Sequence, residues 1–210
     1  GRARICRWRE RHAFATLVLM QRHFLVVLGS AREGGNAEIL AKEAEISVPE
    51  GSEIQRVRLR DYQLPPFDDV RHEDASGYAM PTGKARELVD ATLWATDLVF
   101  ASPTYWYSLP ATAKLYLDHW TAWLRLPPLA FRETMKGRAL WAITVNSDDP
   151  GEDEGSAPLI HTLELTAKYM EMRFAGALIG HGNRPGDVKN DHTAMRAART
   201  FFREGSTRRG

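Results

Sequence analysis

A chain of 210 residues, 43% hydrophobic and 26% charged, has the makeup of an ordinary folded domain and the length to bury one substantial core. The formal net charge is +1, and no run approaches the roughly 18 consecutive apolar residues of a membrane span, the stretch at 17–20 being far too short. The single cysteine, Cys6, excludes an internal disulfide, a four-cysteine zinc site and an iron–sulfur cluster held by the chain's own thiolates.

The expectation is therefore a soluble protein of a reducing compartment, cytoplasmic, with neither membrane nor nucleic acid among its partners. The charge is unevenly placed. Residues 1–22 hold six arginines against one acid, Glu10, leaving 22 of the 28 basic and 26 of the 27 acidic residues in a mildly acidic body. Such a leader has the composition of a nucleic-acid arm or an organelle transit peptide. The preferred reading is an extension over 1–19 with no role in the fold, because Met20 stands just ahead of the first apolar run. The expected organisation is a basic leader over 1–22 and one domain over 23–205.

From Phe24 onward the chain alternates in character. β-rich runs at 24–28, 54–59, 98–102, 139–145 and 175–180 are separated by helical periodicity at 36–46, 82–96, 109–126, 156–173 and 187–203. Regular alternation predicts a parallel sheet with helices on both faces, since each crossover returns the chain to the same edge in a right-handed sense. The fold class is thus α/β, a three-layer sandwich. The connection over 61–81 is long and rich in Pro and Asp, and loops of that length are often functional.

Open parallel sheets bind ligands outside the carboxyl ends of their strands, near the point where strand order reverses. The first loop to reach that rim is "LGSAREGGNA" (Leu28 to Ala37). Glycines let the backbone approach a ligand, N–H groups at a helix start form an anion site, and Ser30, Asn36 and Arg32 add hydrogen bonds suited to a phosphate. Gly29 and Gly34 have the spacing of a nucleoside-triphosphate loop, but Gly35 and Asn36 follow where Lys and Ser or Thr are required; Ala31 breaks the dinucleotide fingerprint. A phosphate monoester fits; so does a glycine-rich turn that only caps a helix. The second loop, "SPTYWYSLPATAKLYLDHW" (Ser102 to Trp120), sets Tyr105, Trp106 and Tyr107 between Pro103 and Pro110. Rings there can stack on a planar ligand while amides fixed by Pro103 bond its polar edge. Alternatively they cover the next helix or a subunit interface, the favoured reading for Tyr107 alone.

"LGSAREGGN", "DYQLPPFDD" (Asp61 to Asp69) and "ASPTYWYSLPATAKLYLD" (Ala101 to Asp118), in this order, resemble the NADPH-dependent FMN reductase family of flavodoxin-like proteins over roughly residues 24–180. The resemblance implies a five-stranded parallel sheet in 2-1-3-4-5 order, one FMN per subunit and a homodimer. It further implies that Ser30, Arg32, Gly35, Asn36 and Ala37 hold the FMN phosphate and that Pro103, Thr104, Tyr105 and Trp106 flank the isoalloxazine. On the third rim loop, "NSDDPGEDEGS" (Asn146 to Ser156), Asn146 and Ser147 are the candidates for the flavin's far edge. Its carboxylates lack the ligand order of a calcium loop, so a solvated acidic loop is read rather than a metal site.

The implied activity is hydride transfer from NADPH or NADH to FMN, then reduction of a small acceptor: a quinone, a nitro or azo compound, a metal ion or free flavin. No side chain need act as acid or base, because the flavin carries the chemistry. The alternative is an FMN electron carrier reduced by a protein partner. Hydrolytic motifs are absent. His119 and Asp118 are neighbours on a predicted helix and form no dyad. His181, after the fifth strand, either reaches a ligand or is a plain loop histidine. Tyr116, Trp120, Trp123 and Leu124 fall at helical spacing as core or a dimer face, and Lys114 as a helix-surface anchor.

Overall fold

The computed structural model describes residues 21–72, 77–149, 151 and 153–204; the leader up to residue 20, Cys6 and the expected domain end at 205 lie outside the described residues. All five expected strands form: β1 (His23–Leu28), β2 (Glu53–Arg58), β3 (Asp97–Pro103), β4 (Ala139–Asn146) and β5 (Arg173–His181). They pair in parallel in the order β2-β1-β3-β4-β5, with Val26 opposite both Arg56 and Val99. The order reverses at β1, which lies between β2 and β3.

The central strands read as unbroken apolar runs because both faces of the sheet are covered. Leu25, Val27, Leu98, Phe100, Leu140 and Ala142 point to one face, beneath α2 (Gly83–Trp94), α3 (Ala111–Trp123), α4 (Phe131–Met135) and α5 (Ala157–Tyr169). Phe24, Val26, Val99, Trp141 and Ile143 point to the other, beneath α1 (Asn36–Ala44), α6 (His192–Ala198) and α7 (Phe201–Glu204). Tyr116, Trp120 and Trp123 of α3 are core residues. Trp120 and Trp123 meet Phe131 edge-on at 5.2 and 5.4 Å, and the Tyr116 hydroxyl, pushed up by burial, bonds Thr92 Oγ1 at 2.7 Å. Lys114 is anchored on Asp118 at 2.6 Å.

Two helical expectations need correction. The single helix read over 187–203 is three pieces: a 3-10 turn at Asp187–Asn190, then α6, then α7. Asp191 breaks it, because its carboxylate accepts from Ala194 N–H at 2.9 Å and serves as the N-cap of a new helix. Between α3 and β4, where no element was expected, a 3-10 turn at Pro127–Leu129 leads into α4, which closes the aromatic cluster through Phe131.

At the amino ends of the strands the Arg22 guanidinium pairs with Asp97, which also accepts from Trp141 Nε1 at 2.9 Å. Phe201 and Phe202 of α7 pack against Trp141, each at 5.1 Å, and Phe202 packs edge-on against Phe24 at 5.0 Å. Among the described residues no helix is long and apolar enough to cross a membrane.

Candidate functional site

The ends of β1, β3, β4 and β5 enclose a crevice of about 280 Å³. Ten of the residues singled out in the sequence line it: Ser30, Arg32, Gly35, Asn36, Ala37, Pro103, Thr104, Tyr105, Asn146 and Ser147. Trp106 does not. Its side chain, 93% exposed, borders an adjoining hollow of about 190 Å³ together with Tyr107, Asp148 and Gly155. The two hollows share Thr104, Asn146 and Ser147, so they form one trough across the rim.

At one end of the trough, α1 begins at Gly35 without a side-chain cap, and the N–H groups of its first turn remain available to an anion. Ser30 is buried, and its Oγ accepts from Arg32 N–H at 3.1 Å, which leaves its own O–H to donate. Gly29 is needed for close approach: it donates to Ala101 O at 3.0 Å, and a Cβ there would stand 2.9 Å from the Ser102 Cβ.

This end is braced by groups the sequence reading did not select. Glu38 of α1 is buried and accepts from Gly34 N–H at 2.9 Å and from both Arg58 Nη1 and Nη2, each at 3.0 Å. Burial alone pushes the Glu38 carboxyl up, but the bonds from Arg58, Gly34 and Lys42 outweigh it and lower it to about 2. Arg58 Nη1 and Arg60 Nη1 also bond Arg32 O and Ala31 O, at 3.3 and 2.9 Å, so the end of β2 and the 3-10 turn after it, Leu59–Asp61, support the loop. The Asn36 amide is committed elsewhere. Its Nδ2 donates to Gly182 O (3.2 Å) and Arg184 O (2.9 Å), and its Oδ1 accepts from Gly186 N–H (2.8 Å), which ties α1 to the loop after β5. That loop adds Gly182, Asn183 and Pro185 to the crevice. The signal for it was the turn-forming "GNRPG" at the end of the last strand, a rim position like the other three.

The middle of the trough is a set of hydroxyls. Thr104 Oγ1 lies 2.9 Å from Thr144 Oγ1 and 3.1 Å from Ser156 Oγ, and Asn146 Nδ2 donates to Ser156 Oγ at 3.1 Å. The main-chain N–H groups of Thr104 and Tyr105, expected to face a ligand's polar edge, are bonded instead to Val145 O (2.9 Å) and Ser108 O (3.0 Å).

Tyr105 and Ser108 bridge in both directions, closing a two-residue hairpin with Trp106 and Tyr107 at its tip. Both tip residues have left-handed backbones, φ 49° and 63°. Such turns favour Asn-Gly, and holding two bulky L-residues there costs on the order of 1–2 kcal/mol each. Tyr105, Trp106 and Tyr107 are all exposed along the open lip. Tyr107 therefore covers neither the next helix nor any other described part of this chain.

A larger hollow, about 590 Å³, lies between the 61–81 connection and α2 and α3, lined by Tyr62, Phe67, Tyr78, His119 and Trp123. His119 is held by Pro65 O at 2.9 Å, and Asp69 by Arg71 and Tyr78. Residues from four rim loops converge on the smaller trough at the carboxyl ends of the strands, which makes it the candidate site. His181 belongs to neither hollow: it is buried at the end of β5 beside Asp191. No cluster of metal-ligating side chains occurs among the described residues.

A parallel sheet in 2-1-3-4-5 order, with a crevice at the carboxyl ends of its strands where the order reverses, defines a flavodoxin-like protein. Residues 23–183 match the NADPH-dependent FMN reductase family, and the chain belongs to that family. It is an enzyme, an NAD(P)H-dependent oxidoreductase with FMN as cofactor. YwqN of Bacillus subtilis (strain 168), whose name describes an NAD(P)H-dependent FMN-containing oxidoreductase, is 34% identical over 174 residues, 82% of this chain and 92% of the relative. The solved structure of the Trp repressor binding protein from Bacillus subtilis is 30% identical, with a TM-score of 0.64 over 84% of this chain and 95% of its own. The NAD(P)H:quinone oxidoreductase from Methanothermobacter marburgensis shares the fold at 14% identity, with a TM-score of 0.60 over 89% and 98% of the two chains.

Proposed function

We propose that the trough holds FMN with its phosphate at the start of α1 and its ring between the 103–107 and 146–148 segments, and that the enzyme reduces planar acceptors of the quinone type. One observation carries this reading: residues from four separate loops converge on a single trough, donor-rich at one end and aromatic at the other. FMN supplies the redox chemistry, taking a hydride from NAD(P)H and passing two electrons on.

The chain's residues bind and orient. Main-chain N–H groups of Gly35, Asn36 and Ala37, the Ser30 hydroxyl and the Arg32 guanidinium hold the phosphate dianion. Asn36 does so through its backbone, since its side chain holds the loop after β5. Thr104, fixed by Thr144 and Ser156, would help flank the ring, and Asn146 and Ser147 would meet its far edge. Pro103, Tyr105 and Trp106 flank the ring, and the exposed lip leaves one side open for a nicotinamide and then an acceptor.

A homodimer is part of the same reading. An apolar hollow of about 380 Å³ between α3 and α5, lined by Leu117, Leu124 and Leu165, stands beside the exposed Tyr169 and suits a second copy. The test is to mix FMN-loaded protein with NADPH and a simple benzoquinone. Rapid NADPH oxidation is expected; bound flavin without oxidation overturns the quinone-reductase reading in favour of a partner-reduced carrier. Arg32→Ala is expected to weaken FMN binding by about 1–3 kcal/mol in a fluorescence titration, the scale of a charged hydrogen bond.

A further inference from the structure

The aromatic end of the trough carries a carboxylate to which FMN binding gives no role. Asp148, two residues past the end of β4, borders the hollow of about 190 Å³ beside Trp106 and Tyr107. Backbone fixes its place. The Asp148 N–H donates to Asn146 Oδ1 at 3.2 Å, and the carboxylate lies against the main chain of Gly155, where an added Cβ would stand 2.1 Å from Asp148 Oδ2. The carboxylate makes no hydrogen bond or ion pair with another described residue.

No positive group offsets it locally. Among the described residues no basic side chain lines this hollow, and the one that lines the trough, Arg32, stands at the other end, where the phosphate would be held. The loop over 146–156 contains neither Lys nor Arg. Facing the same hollow are two rings that pack on nothing. Trp106 and Tyr107 are exposed on left-handed backbone, a conformation that costs stability and so is no by-product of core packing. A ring face carries negative charge density and attracts a cation, and a carboxylate does so by its full charge; both repel an anion. Rings and acid together therefore sort ligands by sign.

We propose that Asp148, with Trp106 and Tyr107, sets the charge preference of the open end, so that a planar acceptor bearing a positive group is taken in preference to its neutral and anionic counterparts. The acceptor class is a quinone with an ammonium side chain. The quinone takes up two electrons and two protons to become the hydroquinone; NAD(P)H supplies the electrons and one proton as a hydride, by way of FMN, and leaves as NAD(P)+, and water supplies the second proton. The ammonium group is unchanged, so Asp148 holds acceptor and product alike and acts on KM more than on kcat. Turnover rests on the FMN reading above; the preference in binding is measured apart from it.

The test uses three 1,4-naphthoquinones that differ only at the end of one side chain, which carries trimethylammonium, hydroxyl or sulfonate. With FMN-loaded full chain and NADPH, KM for the ammonium quinone is expected to lie about tenfold below that for the hydroxyl quinone, the scale of a cation–π contact added to one partly exposed charge pair, and KM for the sulfonate above both. Asp148→Asn keeps the size and removes the charge, and is expected to shrink the ammonium-to-hydroxyl ratio to about threefold, the part left to the rings. The matching naphthalenes, which accept no electrons, are expected to bind in the same order in titration calorimetry of the oxidised protein without nicotinamide. Equal affinity for the ammonium and hydroxyl forms overturns the proposal, as does an ammonium preference undiminished in Asp148→Asn. Reduction of the hydroxyl quinone with no preference by charge leaves the reductase reading standing without this one. A charge order in calorimetry with no quinone reduced does the reverse.

Discussion

The two ends of the trough are built on opposite terms. At the α1 end, Glu38, Arg58 and Asn36 connect α1, β2 and the loop after β5 through partnered, mostly buried polar groups. At the aromatic end, Trp106 and Tyr107 stand exposed on left-handed backbone, held by the pair of hydrogen bonds between Tyr105 and Ser108. On the proposed FMN reading, the contrast follows from what each end must do. An anion is gripped best by donors that need no reorganisation, so rigidity serves the first end. A ring that meets two partners in succession needs an accessible face, so the second end keeps its rings outside the core and stores strain to hold them there.

Breaking the rigid end should have the largest effect. Arg58→Leu leaves the Glu38 carboxylate buried without its main partner and is expected to lower stability by about 3–5 kcal/mol in urea unfolding, with FMN affinity falling alongside. The same pair makes that end acid-sensitive. Because the folded Glu38 sits at about 2, below the ordinary 4.5, its contribution is complete above 4.5 and is lost as pH falls from there through 2. About 3 kcal/mol should disappear over that window, and Glu38→Gln should flatten this part of the stability profile. The smallest effect, with the opposite sign, belongs to the strained end. Trp106→Gly relieves a left-handed tryptophan that buries almost nothing, so stability should rise by about 0.5–1 kcal/mol in thermal unfolding while KM for a planar acceptor increases. A loss of stability in that variant would mean the strain is absent.

How much of this was legible in the sequence divides along the same line. The runs at β1, β3 and β4 are local patterns, so the strands could be read directly, as could Ser30, Arg32, Asn36, Pro103 and Tyr105 from the loops after them, while Gly35, Ala37, Thr104, Asn146 and Ser147 came with the family resemblance. Glu38 and Arg58 lie 20 residues apart, and within their own elements each reads as an ordinary surface charge; only the pairing of β2 with β1 brings them together. Asn36 was selected for its type and position, yet its side chain bonds across 146–150 residues of sequence, a link no local pattern encodes. The broken last helix was hidden for a related reason: Asp191 fits a helical pattern by spacing, and its capping role depends on facing Ala194 and His181 in the folded chain.

The Phe201–Phe202 pair bears on how the molecule can be handled. By packing on Trp141 and Phe24 it places the last described residues at the end of the sheet opposite the trough, close to where β1 is entered. A surface bound at that end would hold the enzyme on an electrode or bead with the proposed flavin trough turned toward solution, leaving diffusing reagents a clear approach.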